Sequence, residues 1–134
     1  MCCQFNKKET FVSYIADVAS SVFDFHQRFN VPLLEYNTYL EKNDDFKKYV
    51  IDLVKDRVLL QTEEIGELCD AVNKFKFPEL ADEAADVLYV AIGTILSLGN
   101  LGCIGCNNVI EKNDGKNPFE YAKSRSGKVI KENE

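Results

Sequence analysis

Residues 60–98 read LQTEEIGELCDAVNKFKFPELADEAADVLYVAIGTILSL, and the class of the fold turns on where that stretch is broken. Pro78 closes one helical pattern, and proline is comfortable in a first helical turn, so a second pattern opens at Pro78 or Glu79. Upstream, the pattern extends back to Asp45, with Leu53, Leu60, Cys69 and Val72 as core candidates on a helix that ends near Lys74. Downstream, Leu80, Val87, Ala91 and Ile95 face inward on a helix that runs to Leu98, where Gly99 and Asn100 stop it.

Working outward, Phe11, Ile15, Val18, Val22 and Phe25 recur at three- and four-residue steps, which predicts a helix from Glu9 to Phe29 ended by Asn30 and Pro32. Downstream of Gly99, a shorter helix is expected from Leu101 to Lys112, weakened by Gly102 and Gly105. The remainder, 113–134, is polar and broken by glycine and proline, and is expected to be irregular. No segment alternates as a strand should over any length, so the class is all-α, a four-helix bundle with an irregular C-terminal tail. A chain of 134 residues is expected to form one domain, 1–134, with a core of its own.

Charge and cysteine usage narrow the partners. A formal net charge of -6 repels a nucleic-acid duplex or an anionic membrane over most of the surface, so neither is expected as a partner. A phosphate-bearing ligand then needs a local device, and a bound divalent cation is one, because it inverts the field of an acidic cluster. The five cysteines are Cys2, Cys3, Cys69, Cys103 and Cys106, an odd set with no secretory segment near Met1, which points to reduced thiols in a cytoplasm. Cys103 and Cys106 have C-x-x-C spacing but no second pair and one histidine, His26, in the chain, so a zinc site is not expected. The apolar run from Ala84 to Cys106 is interrupted by Asp86, Gly93, Gly99 and Asn100, and reads as a core helix rather than a membrane span.

The chemistry lies in the carboxylates. Glu64 and Glu67 are three apart on one predicted helix and share a face, and Glu83 and Asp86 repeat that spacing on the next. The break between them is short, so the helices are antiparallel neighbours and the pairs can face each other across the seam. Two like charges about 5 Å apart at an effective dielectric near 20 repel by roughly 3 kcal/mol, a large fraction of a small domain's stability. Protonation relieves that repulsion, and so does a hard cation such as magnesium, which prefers all-oxygen clusters. A single such pair is commonplace on a solvated helix; two pairs beside apolar stripes on consecutive helices favour a metal site.

Glu63-Glu64-Ile-Gly-Glu67 followed by Glu83-Ala-Ala-Asp86 resembles the E-E-x-x-E and E-x-x-D motifs of the all-α nucleoside triphosphate pyrophosphatase superfamily. That group includes MazG proteins, dimeric dUTPases, dCTP pyrophosphatases and phosphoribosyl-ATP pyrophosphatases. The stretch from Ala81 to Thr94 is similar to the MazG-like branch in particular, as are Val22–Phe29 and the tail segments Asn113–Lys116 and Gly127–Lys131. The insert between Pro32 and Phe46 and the segment Cys103–Cys106 match no pattern of that family.

The resemblance implies that Glu64, Glu67, Glu83 and Asp86 bind magnesium or manganese. Glu63 joins them or helps activate the water, so that either Glu63 or Glu64 is the catalytic base. Asn113, Lys116 and Lys128, with Arg125 a lesser candidate, contact the phosphates as 113–134 closes over them. The implied reaction is in-line attack of water on the α-phosphorus of a (d)NTP, releasing pyrophosphate and a (d)NMP in nucleotide-pool house-cleaning.

Phe25, His26 and Tyr89 are candidates for stacking on the base, although a histidine on a largely apolar helix is more often simply packed. Family members form dimers or tetramers, so a homo-oligomer is expected. The rival of a different class is a non-enzymatic divalent-metal-binding bundle or acidic interaction module, which lacks any EF-hand loop. A di-iron carboxylate bundle requires E-x-x-H motifs that the chain does not have.

Overall fold

A computed structural model of the chain describes residues 6–35, 42–124 and 127–131; Cys2, Cys3 and Arg125 lie outside the described residues. Four helices follow in order: α1 (Lys8–Arg28), α2 (Asp44–Asn73), α3 (Leu80–Ser97) and α4 (Asn100–Asp114). The chain divides into two compact units, Met1–Gly102 and Cys103–Glu134. The all-α class is as the periodicity predicts, and each helix boundary falls within two residues of its expected place.

Local chemistry sets the boundaries. Asn43 caps α2, its side-chain oxygen accepting from the backbone N–H of Phe46 at 3.0 Å, which satisfies one of the orphan donors of a first turn. Pro78 falls in a single 3-10 turn, Phe77–Glu79, that leads into α3. Each of α1, α2 and α3 is followed, after its C-cap, by a residue of positive φ: Asn30 (51°), Phe75 (57°) and Gly99 (55°). The amides of Val31 and Lys76 reach back to the carbonyls of His26 and Ala71, both at 2.9 Å, and so close the paired C-terminal hydrogen bonds that the left-handed residue makes accessible. Asparagine and glycine suit that conformation; Phe75, 92% exposed, does not.

Within the first unit α3 is the central element, packed against both α2 and α1. Val22, Leu34, Ala71 and Val90 are the buried apolar side chains among the described residues. The segment after α1 is tied to the end of α3 by the amide of Leu34 donating to the carbonyl of Ser97 at 2.8 Å. At Gly99 a Cβ would collide with the Leu34 carbonyl oxygen, so glycine is required there twice over, by its positive φ and by the close approach.

Several positions expected in the core are not. Phe11, Phe25, Leu60, Cys69, Val72, Ala91 and Ile95 are exposed. In the first unit α1 and α2 both pack on α3, and among the described residues of that unit the outer stripes of α1 and α2 stay exposed. The helical period was right; the number of surfaces able to bury it was smaller than the apolar content suggests. No single helix among the described residues is long and apolar enough to cross a membrane.

The second unit carries most of α4 and a two-stranded antiparallel ladder, β1 (Tyr121–Lys123) and β2 (Val129–Lys131), with Ala122 opposite Ile130. Strands of three residues are too short to show alternation in the sequence, which is why this part of the tail reads as irregular before the ladder is seen.

Candidate active site

Glu64 of α2 and Glu83 and Asp86 of α3 meet across the seam that the helix boundaries predict. Each offers a carboxylate oxygen, and the three oxygens lie within 4.8 Å of one another. Two oxygen bonds to one hard cation, at about 2.0–2.6 Å each, span about 4–5 Å, so the set matches what a single ion bridges. Glu64 and Glu83 are half-buried and Asp86 is exposed. Glu67 and Glu63 are exposed on α2, near enough to add their charge to the cluster.

The electrostatics are those of uncompensated carboxylates. Desolvation raises the pKa of Glu64, and Glu67, Asp86, Glu63 and Glu83 push it further in the same direction. Glu83 is raised by desolvation first, then by Glu67, Asp86 and Glu79, with Lys76 opposing. One oxygen of Glu83, Oε2, is buried without a hydrogen-bond partner. A buried acceptor left unpaired is costly; a divalent cation would satisfy it, and an all-carboxylate donor set without histidine or thiolate suits magnesium or manganese. The residues present therefore fit a hard metal ion.

Two cavities flank the cluster. One, of about 470 Å³, is lined by Glu63, Glu67, Asp70, Lys76, Glu79 and Glu83 among others. In it the Lys76 ammonium lies 3.5 Å from Asp70 and 3.8 Å from Glu79. The other, of about 280 Å³, is lined by Phe25, His26, Arg57, Leu60, Glu64, Asp86, Tyr89 and Val90. The three side chains expected to meet a base, Phe25, His26 and Tyr89, thus share one cavity with two of the expected metal ligands. Phe25 and Tyr89 meet edge to face at 6.1 Å between centroids, and the Tyr89 hydroxyl is 3.1 Å from Ser21 Oγ.

Arg57 was not singled out from the sequence. Its Nε donates to Thr94 Oγ1 at 3.2 Å and its Nη2 to the carbonyl of Val90 at 2.8 Å, which holds the guanidinium flat against α3. A Cβ at Gly93 would lie 2.5 Å from Arg57 Nη2 and 2.8 Å from His26 Nε2, so the absence of a side chain there makes room for both. Burial, then the neighbouring Arg57 charge, lowers the pKa of His26. The available signal was spacing: Arg57 stands seven residues, two turns, before Glu64 and shares its face.

In the second unit, Asn113 and Lys116 come together, the Lys116 ammonium donating to Asn113 Oδ1 at 3.0 Å and lying 5.7 Å from the Tyr121 ring centroid. Both line a cavity of about 560 Å³ with Lys123 and Tyr121. Lys128 is exposed, its carbonyl accepting from the Ser124 amide at 2.7 Å, and does not line that cavity.

Comparison with known proteins adds one finding. No curated protein and no solved structure matches the chain. The family model for phosphoribosyl-ATP pyrophosphohydrolase matches residues 34–101, a stretch that spans α2, the 3-10 turn and α3, and holds all five acidic positions together with Arg57, Tyr89 and Gly93. Phe25, His26 and the tail lie outside it. With half of its residues in that match, and with its carboxylates gathered across the α2–α3 seam, the chain belongs to the phosphoribosyl-ATP pyrophosphohydrolase family, within the MazG-like all-α nucleoside triphosphate pyrophosphatases, and so to hydrolases that act on nucleotide-like substrates.

Proposed function

We propose that this protein is a magnesium-dependent nucleoside triphosphate pyrophosphohydrolase that converts a (d)NTP to a (d)NMP and pyrophosphate, in the service of nucleotide-pool house-cleaning in the cytoplasm. The observation that carries the reading is the meeting of Glu64, Glu83 and Asp86 within 4.8 Å, with the unpaired Glu83 Oε2 among them. Glu64, Glu67, Glu83 and Asp86 would hold the ion. When bound, it supplies positive charge against phosphate oxygens and makes water more acidic.

The chain's own residues do the rest. Water attacks the α-phosphorus, the bond to the bridging oxygen of the pyrophosphate breaks, and the proton released by the water passes to Glu63 or Glu64. The aromatic cavity beside Glu64 and Asp86 holds the base, which fixes where the α-phosphate falls. Asn113, Lys116 and Lys128 would contact the phosphates, with the two lysines neutralising charge on the leaving pyrophosphate. Self-association as a dimer or tetramer covers the outer stripes, where Val58, Leu59, Ile65 and Val72 on α2 and Phe11 and Val12 on α1 are exposed.

A pyrophosphate-release assay over canonical and modified nucleotides with magnesium tests the reading. Turnover of at least one nucleotide is expected, lost in Glu67→Ala and in Asp86→Ala with the helical circular-dichroism signal retained. Magnesium binding with no pyrophosphate from any nucleotide would return the protein to the class of non-enzymatic metal-binding bundles.

A further inference from the structure

The aromatic cavity contains a device that neither the acidic motifs nor the family match assigns. A guanidinium has five N–H donors in a planar fork. In Arg57 the edge formed by Nε and Nη2 is taken up by Thr94 Oγ1 and the Val90 carbonyl. That leaves the end-on edge of Nη1 and Nη2, with two parallel N–H bonds, and no described residue accepts from Nη1. The group cannot swing away, since two hydrogen bonds and contact with Gly93 hold its plane. A fixed fork of this kind matches a pair of adjacent acceptors bidentately.

The surroundings restrict what those acceptors belong to. The cavity is about 280 Å³, near the lower end of small-molecule sites, which fits one ring system and not a whole nucleotide. Phe25, Tyr89, Leu60 and Val90 give it apolar walls suited to a planar ring. Glu64 and Asp86 at the same cavity disfavour a carboxylate or phosphate as the group that enters. His26, which also lines the cavity, is 5% exposed and has a buried Nδ1 without a hydrogen-bond partner. A neutral ring presenting two neighbouring acceptors is what remains.

We propose that Arg57 is a specificity-determining residue that reads the O6 and N7 edge of a 6-oxopurine, so that the preferred substrates are guanine- or hypoxanthine-type nucleotides. Adenine presents an amino donor beside N7 and would oppose the fork, and uracil and thymine have no two neighbouring acceptors. A free cytosine has such a pair, O2 and N3, so the test includes it, and turnover of dCTP in preference to dGTP would overturn the purine assignment. The inference rests on the pyrophosphohydrolase reading for the word substrate, and on the cavity alone for the base.

The test compares dGTP, dITP, dATP, dCTP and 7-deaza-dGTP as substrates with magnesium, and dGMP, dAMP and dCMP as ligands of the metal-free protein by calorimetric titration. A good bidentate contact corresponds to about tenfold to a hundredfold discrimination, so kcat/KM for dGTP and dITP should exceed that for dATP by at least about tenfold. Loss of one acceptor in 7-deaza-dGTP should cost a similar factor in the unaltered protein, where no folding defect can intrude. Arg57→Lys, which keeps the charge and loses the fork, should bring the dGTP to dATP ratio toward one whatever it does to the overall rate. Equal kcat/KM for dGTP, 7-deaza-dGTP and dATP would overturn the proposal. Preferential binding of dGMP with no turnover of any nucleotide would uphold the base reading and sink the catalytic one.

Discussion

The two cavities beside the acidic cluster share α2 and α3 and differ in almost everything else, α1 among them, which lines only one. The one that reaches Glu83 is walled by carboxylates with a single half-buried lysine among them. The one that reaches Glu64 and Asp86 is walled by aromatic and aliphatic groups around one immobilised guanidinium. The first is a place where charge accumulates and has to be neutralised from outside; the second carries few charges and a fixed pattern of donors. In the proposed function the difference would correspond to the two ends of a nucleotide, with the three converging carboxylates at the border between them.

Glu83→Gln breaks the comparison at its acidic side and carries the largest expected effect. It removes one ligand charge, and turnover should fall by about two to three orders of magnitude, the scale seen when one electrostatic contact to a transition state is lost. Without metal the variant should melt higher than the unaltered protein, because one member of a repelling cluster is gone. With magnesium the order should reverse. Thermal unfolding with and without the ion reads both, and a variant stabilised by magnesium as strongly as the original would remove Glu83 from the ligand set.

Gly93→Ala disturbs the aromatic side alone. A Cβ there meets Arg57 Nη2 at 2.5 Å and His26 Nε2 at 2.8 Å, so the guanidinium must leave Val90 and Thr94. Overpacking costs about 1–3 kcal/mol, while alanine in place of glycine inside a helix returns about 1 kcal/mol. Stability should therefore fall by no more than about 2 kcal/mol. Discrimination between dGTP and dATP should drop about tenfold, with magnesium-dependent stabilisation unchanged. Denaturant titration and the kinetic ratio separate the two effects.

That asymmetry also explains what could be read before the fold was known. The acidic side was legible because its members lie three apart on consecutive helices, and a short break at Pro78 forces those helices side by side. Phe25, His26 and Tyr89 were legible as an amphipathic set, although nothing in the spacing says that they share one cavity. Arg57 was not, since a lone arginine on a charged helix is ordinarily solvated, and its role depends on the missing side chain of Gly93 on another helix. Lys76 likewise acquires meaning only from the turn that brings its ammonium to Asp70 and Glu79. The misplaced core positions on α1 and α2 have a separate cause: helical periodicity identifies an apolar stripe but not whether the same chain supplies its cover.

Phe75 tests that last point. It holds a left-handed conformation at the end of α2 and is 92% exposed, a position where glycine is free of strain. Phe75→Gly should raise protomer stability by roughly 1 kcal/mol. If its ring, with Phe77 at 77% exposure, forms part of a surface between copies, the same substitution should weaken self-association in sedimentation. A gain in stability with assembly unchanged would place the contact surface on the outer stripes of α1 and α2 instead.

The smallest effect is on pH dependence, where His26 and the carboxylate cluster pull in opposite directions. The lowered pKa of His26 means that the unfolded chain binds more protons than the folded one between the folded value and 6.5. Its contribution is thus complete above 6.5 and is lost as pH falls toward the folded value. Glu64 and Glu83 are raised above 4.5, so the metal-free folded chain binds more protons there, and stability recovers as pH falls through their folded values toward 4.5. Melting temperature measured downward from pH 8 should therefore decline first and then level or rise. His26→Gln should remove the early decline and leave the later recovery, and Glu64→Gln should weaken the recovery and leave the decline. A decline that survives His26→Gln would show that its cause lies outside the aromatic cavity.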